Sequence, residues 1–298
     1  MCGIVGLFLK NNTLEPKLGE MLSVMLGTMC DRGPDSAGFA VYGTPEKGRT
    51  KITLQSGDPE KDFAGLKQAV DKEIGIKAEL KEKSTHAVLT VSSDKVDAVR
   101  TWLNEHRPSL RVMGVGDSIE IYKEVGYPTE VAKRFDLKSM KGSHAIGHTR
   151  MATESAVTTL GAHPFSTGSD QCLVHNGSLS NHNGIRRQLI KDGMRFETEN
   201  DTEVAAAYLT WRMKQGLNLG EALNSTIDDL DGFFNFVVGT KDGFGVVRDP
   251  IACKPAVMAE TDDYVAFGSE YRALVNLPDI NKARVWEPEP ATVYFWER

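Results

Sequence analysis

No run of some 18 apolar residues occurs anywhere in the sequence, so nothing in it reads as a membrane-spanning helix. Positive charge is not in surplus: 35 Lys and Arg face 41 Asp and Glu, a formal net charge of −6. A sequence-independent nucleic-acid binder needs a basic surface, so no nucleic-acid partner is expected. The N-terminus, MCGIVGLFLKNN, has no basic segment and no small-x-small cleavage signal. It reads as a first strand rather than a secretion signal, and a cytoplasmic location is expected. Cysteine is scarce, at positions 2, 30, 172 and 253, with no C-x-x-C pair and no His cluster at zinc-finger spacing. No metal site is expected, and the thiols are expected to stay unpaired. Cys30, Cys172 and Cys253 read as small core residues. Repeats, low-complexity tracts and a nucleotide-binding Gly-rich loop are also missing.

What is present is a 298-residue chain, 40% hydrophobic and 26% charged, the composition of a soluble globular domain. The opening segment pairs a strand over Gly3–Leu9 with a helix on which Leu18, Met21, Leu22, Met25, Leu26 and Met29 recur at helical spacing. A turn cluster, Asp31-Arg32-Gly33-Pro34-Asp35-Ser36, leads into a strand over Ala37–Tyr42. Residues 57–117 read as an inserted α+β subdomain without obvious chemistry: a charged helix over Asp58–Lys72, a strand over His86–Val91, a helix over Asp94–His106 and a strand over Leu110–Val115. From about residue 143 the chain is dense in short strands and glycine turns. Two helices are expected among them, Asn181–Lys191 and Thr202–Gln215, the second with Val204, Ala205, Tyr208, Leu209 and Met213 on one face. Strands at both ends of the chain, with helices between and after them, predict an α+β fold of two packed sheets with helices outside.

Cys2 is the first residue with chemical promise. Methionine removal is efficient before a small residue, which would leave Cys2 as the chain terminus, bearing a thiol and a free α-amine together. The amine has an unperturbed pKa of about 7.7–8.0, so a useful fraction is neutral and can serve as base to the thiol. Three further segments follow apolar strands or open a helix: Gly147-His148-Thr149-Arg150-Met151-Ala152-Thr153, His175-Asn176-Gly177, and Asn200-Asp201-Thr202-Glu203. Each also has a plain structural reading, Asp201 as a helix cap and Asn176-Gly177 as a turn.

Taken in order after Cys2-Gly3-Ile4-Val5-Gly6 and Arg32-Gly33-Pro34-Asp35, these motifs make the chain resemble the class II, N-terminal-nucleophile glutamine amidotransferases. The resemblance spans nearly all of residues 2–298 except the 57–117 insertion, and the Ile119–Leu137 stretch is similar to amidotransferase domains of the glutamate-synthase kind. It implies a four-layer αββα sandwich of the N-terminal-nucleophile hydrolase type that releases ammonia from L-glutamine. Cys2 would be the nucleophile, Asn176 and Gly177 the oxyanion hole, Arg150 the clamp on the substrate carboxylate, Asp201 the anchor of its ammonium, and Thr153 a further polar contact. Arg32 is expected in a buried ion pair or as a turn anchor. A Cys–His dyad through His148 or His175 is not implied, because the family uses the α-amine as base. Glu154 departs from members that carry a His after the threonine of this motif.

No acceptor domain follows the amidotransferase portion, so ammonia is expected to pass to a separate subunit in a hetero-oligomer. The resemblance points to glutamate synthase or N-methylglutamate synthase, whose partner subunits carry FMN and iron–sulfur clusters; no cofactor is expected in this chain. Two other readings stand beside this one. An amidohydrolase without ammonia channelling would not need the Arg150 and Asp201 clamp, and a glutamine-sensing module would not need Cys2, Asn176 and Gly177.

Overall fold

Strands buried along their whole length dominate the centre of the protein, because they are covered on both faces. Gly3–Leu9, Ser36–Tyr42 and His144–Arg150 expose none of their residues. The computed structural model describes residues 1–152 and 156–298. It places those strands in a seven-stranded sheet with the order Arg284–Trp286, Val257–Glu260, Tyr264–Gly268, Gly3–Leu9, His144–Arg150, Ser36–Tyr42, Ile119–Val125. A second sheet orders Thr292–Glu297, Gly243–Arg248, Gly232–Gly239 and Cys172–Leu179. Neighbouring strands run antiparallel in both sheets.

The two sheets face each other across a core that includes Ile4, Phe8, Tyr42, Val174, Val237 and Phe244. Phe8 and Phe244 stack across the gap with ring centroids 6.0 Å apart, a contact of about 0.5–1.5 kcal/mol beyond the area buried. The predicted methionine-rich helix forms as Leu18–Gly27 and lays Leu18, Met21, Leu22, Met25 and Leu26 on the outer face of the seven-stranded sheet. His182–Lys191, Asp201–Lys214 and Leu219–Asp229 cover the outer face of the other sheet. The layers are helix, sheet, sheet, helix, the αββα sandwich that the sequence predicts.

Several local expectations need correction. A third helix, Leu219–Asp229, joins the two expected after residue 143, and it starts in a capping box between Asn218 and Glu221. The Asp201–Lys214 helix buries every residue from Thr202 to Thr210 instead of one face, since it lies beneath its neighbouring helices as well as against the sheet. The stretch over 58–72 is two helices, Pro59–Phe63 and Leu66–Ile74, separated at Gly65, whose φ of +68° is left-handed. Cys253 is exposed in the turn after Gly243–Arg248, whereas Cys30 and Cys172 are buried. A third sheet, ordered Glu79–Lys83, His86–Ser92, Arg49–Gln55, Arg111–Gly116, carries its own apolar core. Its inner strand Arg49–Gln55 lies upstream of residue 57, so this unit draws on more chain than the 57–117 span. Among the described residues no helix is long and apolar enough to cross a membrane.

Candidate active site

Cys2 immediately precedes the first strand, whose Gly3 pairs with Thr149, and it is partly exposed. Its thiol lies 3.8 Å from the Met151 carbonyl. The Cys2 carbonyl is held from two sides: Arg32 Nε donates to it at 3.0 Å and Asn176 Nδ2 at 3.2 Å. Arg32 also pairs with Glu270 at 2.6 Å, so the buried guanidinium has the ion pair that the sequence predicts, with a partly exposed partner. Just beyond, Ile4 and Ser269 exchange two hydrogen bonds, Ile4 N–H to Ser269 Oγ and Ser269 N–H to the Ile4 carbonyl, each 2.9 Å. The start of the chain is therefore fixed by the turn before Ser36 and by the segment after Gly268.

Asn176 and Gly177 lie on the Cys172–Leu179 strand, in the other sheet. A carbonyl only accepts, so the bond to Cys2 fixes which end of the Asn176 amide faces the thiol-bearing residue, and the second N–H remains for another acceptor. Gly177 is required as glycine. Its φ is +156°, and a Cβ there would sit 1.9 Å from the Phe233 carbonyl oxygen. Gly33 is held as closely, since a Cβ would lie 2.4 Å from the Thr149 carbonyl carbon.

Arg150 ends the His144–Arg150 strand, one residue past the Gly3–Thr149 pair, and is buried opposite Ser36. One of its terminal nitrogens donates to the Ala156 carbonyl at 3.3 Å. Asp35 carries the segment after it, accepting the Ala152 N–H at 2.8 Å. Asp201 is the first residue of the Asp201–Lys214 helix, but the cap that accepts the Thr202 N–H is Asn200. The carboxylate of Asp201 is thus released from capping and turns instead to the Leu179 N–H at 3.0 Å. Burial pushes its pKa up, but His175 nearby and the Leu179 amide outweigh that and hold it at about 2. It is an anion throughout the physiological range. Thr153, the remaining predicted contact, lies outside the described residues.

Neither histidine is placed to activate the thiol. His148 Nε2 bonds the His175 carbonyl at 3.1 Å, and His175 Nδ1 faces Thr202 Oγ1 at 3.1 Å. Burial drives His148 down to about 3, which keeps it neutral. Sequence reasoning missed Glu270, Ser269 and His163, which follow no motif; Asp35 stood inside a quoted motif without a role.

The glutamine amidotransferase domain family matches residues 148–276. Over 297 residues the chain is 69% identical to the glutamine amidotransferase-like protein GlxB of Rhizobium meliloti, spanning 100% of this chain and 98% of that protein. It is 35% identical over 140 residues to the isomerizing glutamine–fructose-6-phosphate aminotransferase of Bartonella quintana, 47% of this chain and 23% of that one. The solved glutamine phosphoribosylpyrophosphate amidotransferase from B. subtilis shares the fold with a TM-score of 0.63 at 19% identity, covering 99% of this chain and 47% of its own.

Proposed function

The chain belongs to the class II, N-terminal-nucleophile glutamine amidotransferases, and from that premise we propose that it hydrolyses L-glutamine to glutamate and passes the ammonia to a separate synthase subunit. The observation that carries the reading is the meeting of both sheets at Cys2, where Asn176 from one sheet and Arg32 beside the other grip the same carbonyl. With Met1 removed, the α-amine of Cys2 takes the thiol proton as sulfur attacks the glutamine amide carbon. The tetrahedral oxyanion accepts from the free N–H of Asn176 and from the Gly177 amide. The amine returns its proton to the departing ammonia, leaving a thioester that water, activated by the same amine, hydrolyses to glutamate. The planar fork of Arg150 suits the substrate α-carboxylate, and the Asp201 anion suits the α-ammonium.

These roles separate kinetically. Asn176→Ala lowers kcat by about 100- to 1,000-fold, the loss of one oxyanion donor, with a small change in KM. Asp201→Asn and Arg150→Ala each remove a charge-assisted contact of about 1.5–3 kcal/mol, so KM rises about 10- to 150-fold. An unchanged KM in Asp201→Asn removes that residue from substrate binding.

The resemblance of the Ile119–Leu137 sequence to amidotransferase domains of the glutamate-synthase kind is what supports a synthase partner, which would carry FMN and iron–sulfur clusters. Co-expression with candidate synthase subunits, followed by purification, tests this. A flavin-containing complex with a faster glutaminase rate is expected; a stable monomer with an unchanged rate leaves an amidohydrolase without channelling.

A further inference from the structure

We propose that the Thr202 hydroxyl is a positioning group for glutamine binding, holding the Asp201 carboxylate through a closed network of buried histidines. The proposal rests on the reading of Asp201 as the ammonium anchor. Thr202 is 1% exposed, and its Oγ1 lies 2.8 Å from His163 Nε2, 3.1 Å from His175 Nδ1 and 3.4 Å from Asp201 Oδ1. His175 Nδ1 stands 3.7 Å from that same carboxylate oxygen.

Proton bookkeeping gives the network a direction. A hydroxyl has one proton and two lone pairs, and a carboxylate only accepts. The other ring nitrogens, His163 Nδ1 and His175 Nε2, are buried without a partner among the described residues. If either ring accepted from Thr202, its N–H would be left buried and unpaired, which costs more than a bare ring lone pair. Both rings therefore donate to Thr202, and Thr202 donates to Asp201. The second carboxylate oxygen is already fixed by the Leu179 N–H.

The same network reaches the other arms of the site. His163 stacks on His148 with centroids 4.1 Å apart, and His148 Nε2 donates to the carbonyl of His175. His148 is two residues before Arg150 on its strand, His175 is next to Asn176, and Thr202 is next to Asp201. One buried cluster thereby sets the register of the segments bearing the carboxylate clamp, the oxyanion donor and the ammonium anchor. Burial holds His148 and His163 far below the ordinary histidine range, so these rings act by orientation and not by proton transfer at neutral pH.

The test compares Thr202→Val, Thr202→Ala and Thr202→Ser with the unmodified enzyme in steady-state glutamine hydrolysis. Active sites are counted with a glutamine-mimicking diazoketone, so that a partly folded sample lowers the count and not the constants. Removing the hydroxyl should raise KM at least about tenfold, with kcat per counted site within about threefold. Serine, which restores the hydroxyl, should return KM to within about threefold of the unmodified value. Thr202→Ala, which adds no bulk, carries the test if the valine chain does not fold. An unchanged KM in the variants lacking the hydroxyl overturns the proposal, as does a serine variant as impaired as the valine one. An unmodified enzyme with no glutaminase activity overturns the functional reading and the proposal with it, whereas an active one with KM insensitive to Thr202 overturns this proposal alone.

Discussion

Cys2→Ala abolishes glutamine hydrolysis, with a loss of at least about ten-thousandfold in kcat, while glutamine still binds. In the proposed mechanism the thiol forms the bond that divides amide hydrolysis into two steps. Cys30 and Cys172 are buried, and burial pushes the Cys172 thiol up to about 12, so neither supplies a thiolate. Binding should survive because the proposed clamp lies elsewhere: Arg150 on the neighbouring strand and Asp201 at the start of a helix. Glutamine should therefore still raise the thermal midpoint of Cys2→Ala by mass action. Residual turnover above about one part in ten thousand would require a second nucleophile.

The second large effect concerns the terminus itself. A chain that retains one residue ahead of Cys2 should hydrolyse glutamine about 100- to 10,000-fold more slowly, the contribution of a positioned general base. With Met1 in place the Cys2 nitrogen belongs to a peptide bond and has no basic lone pair. The ammonium then sits one residue further out, 2.9 Å from the sulfur of Met151, and is no longer the nucleophile's own. Intact-mass analysis of active and inactive fractions checks this. Full activity in a population that carries Met1 would assign the base to another group.

Much of this site was legible because its parts are short motifs joined to strong local signals. An uninterrupted apolar run fixes Gly3–Leu9 and so places Cys2 at a strand start. Asn200 followed by Asp201 and Thr202 reads as a helix opening. Within that opening the sequence does not say which residue caps; the structure gives the cap to Asn200 and turns the Asp201 carboxylate to the Leu179 amide. What escaped the sequence is contact made across large separations. Glu270 reaches Arg32 from 238 positions away, and His163 meets Thr202 across 39, with no spacing rule to announce either pair. The Leu219–Asp229 helix did carry a local signature, Asn218 with Glu221 three positions on, which the surrounding glycine turns obscured. Arg49–Gln55 buries Ile52, Thr53 and Leu54 in succession, and its partners His86–Ser92 and Arg111–Gly116 come later in the chain, so its allegiance to the third sheet was not local information.

The central claim is that Cys2, as a free N-terminal residue, attacks the amide carbon of glutamine held by this chain. Mass spectrometry of the protein after reaction with a glutamine-mimicking diazoketone tests it most directly. One adduct per chain is expected, on Cys2 of a protein lacking Met1, with labelling slowed by glutamine and not by unrelated amides. An adduct on Cys253 or another side chain, or labelling of Cys2 that glutamine does not slow, would contradict it.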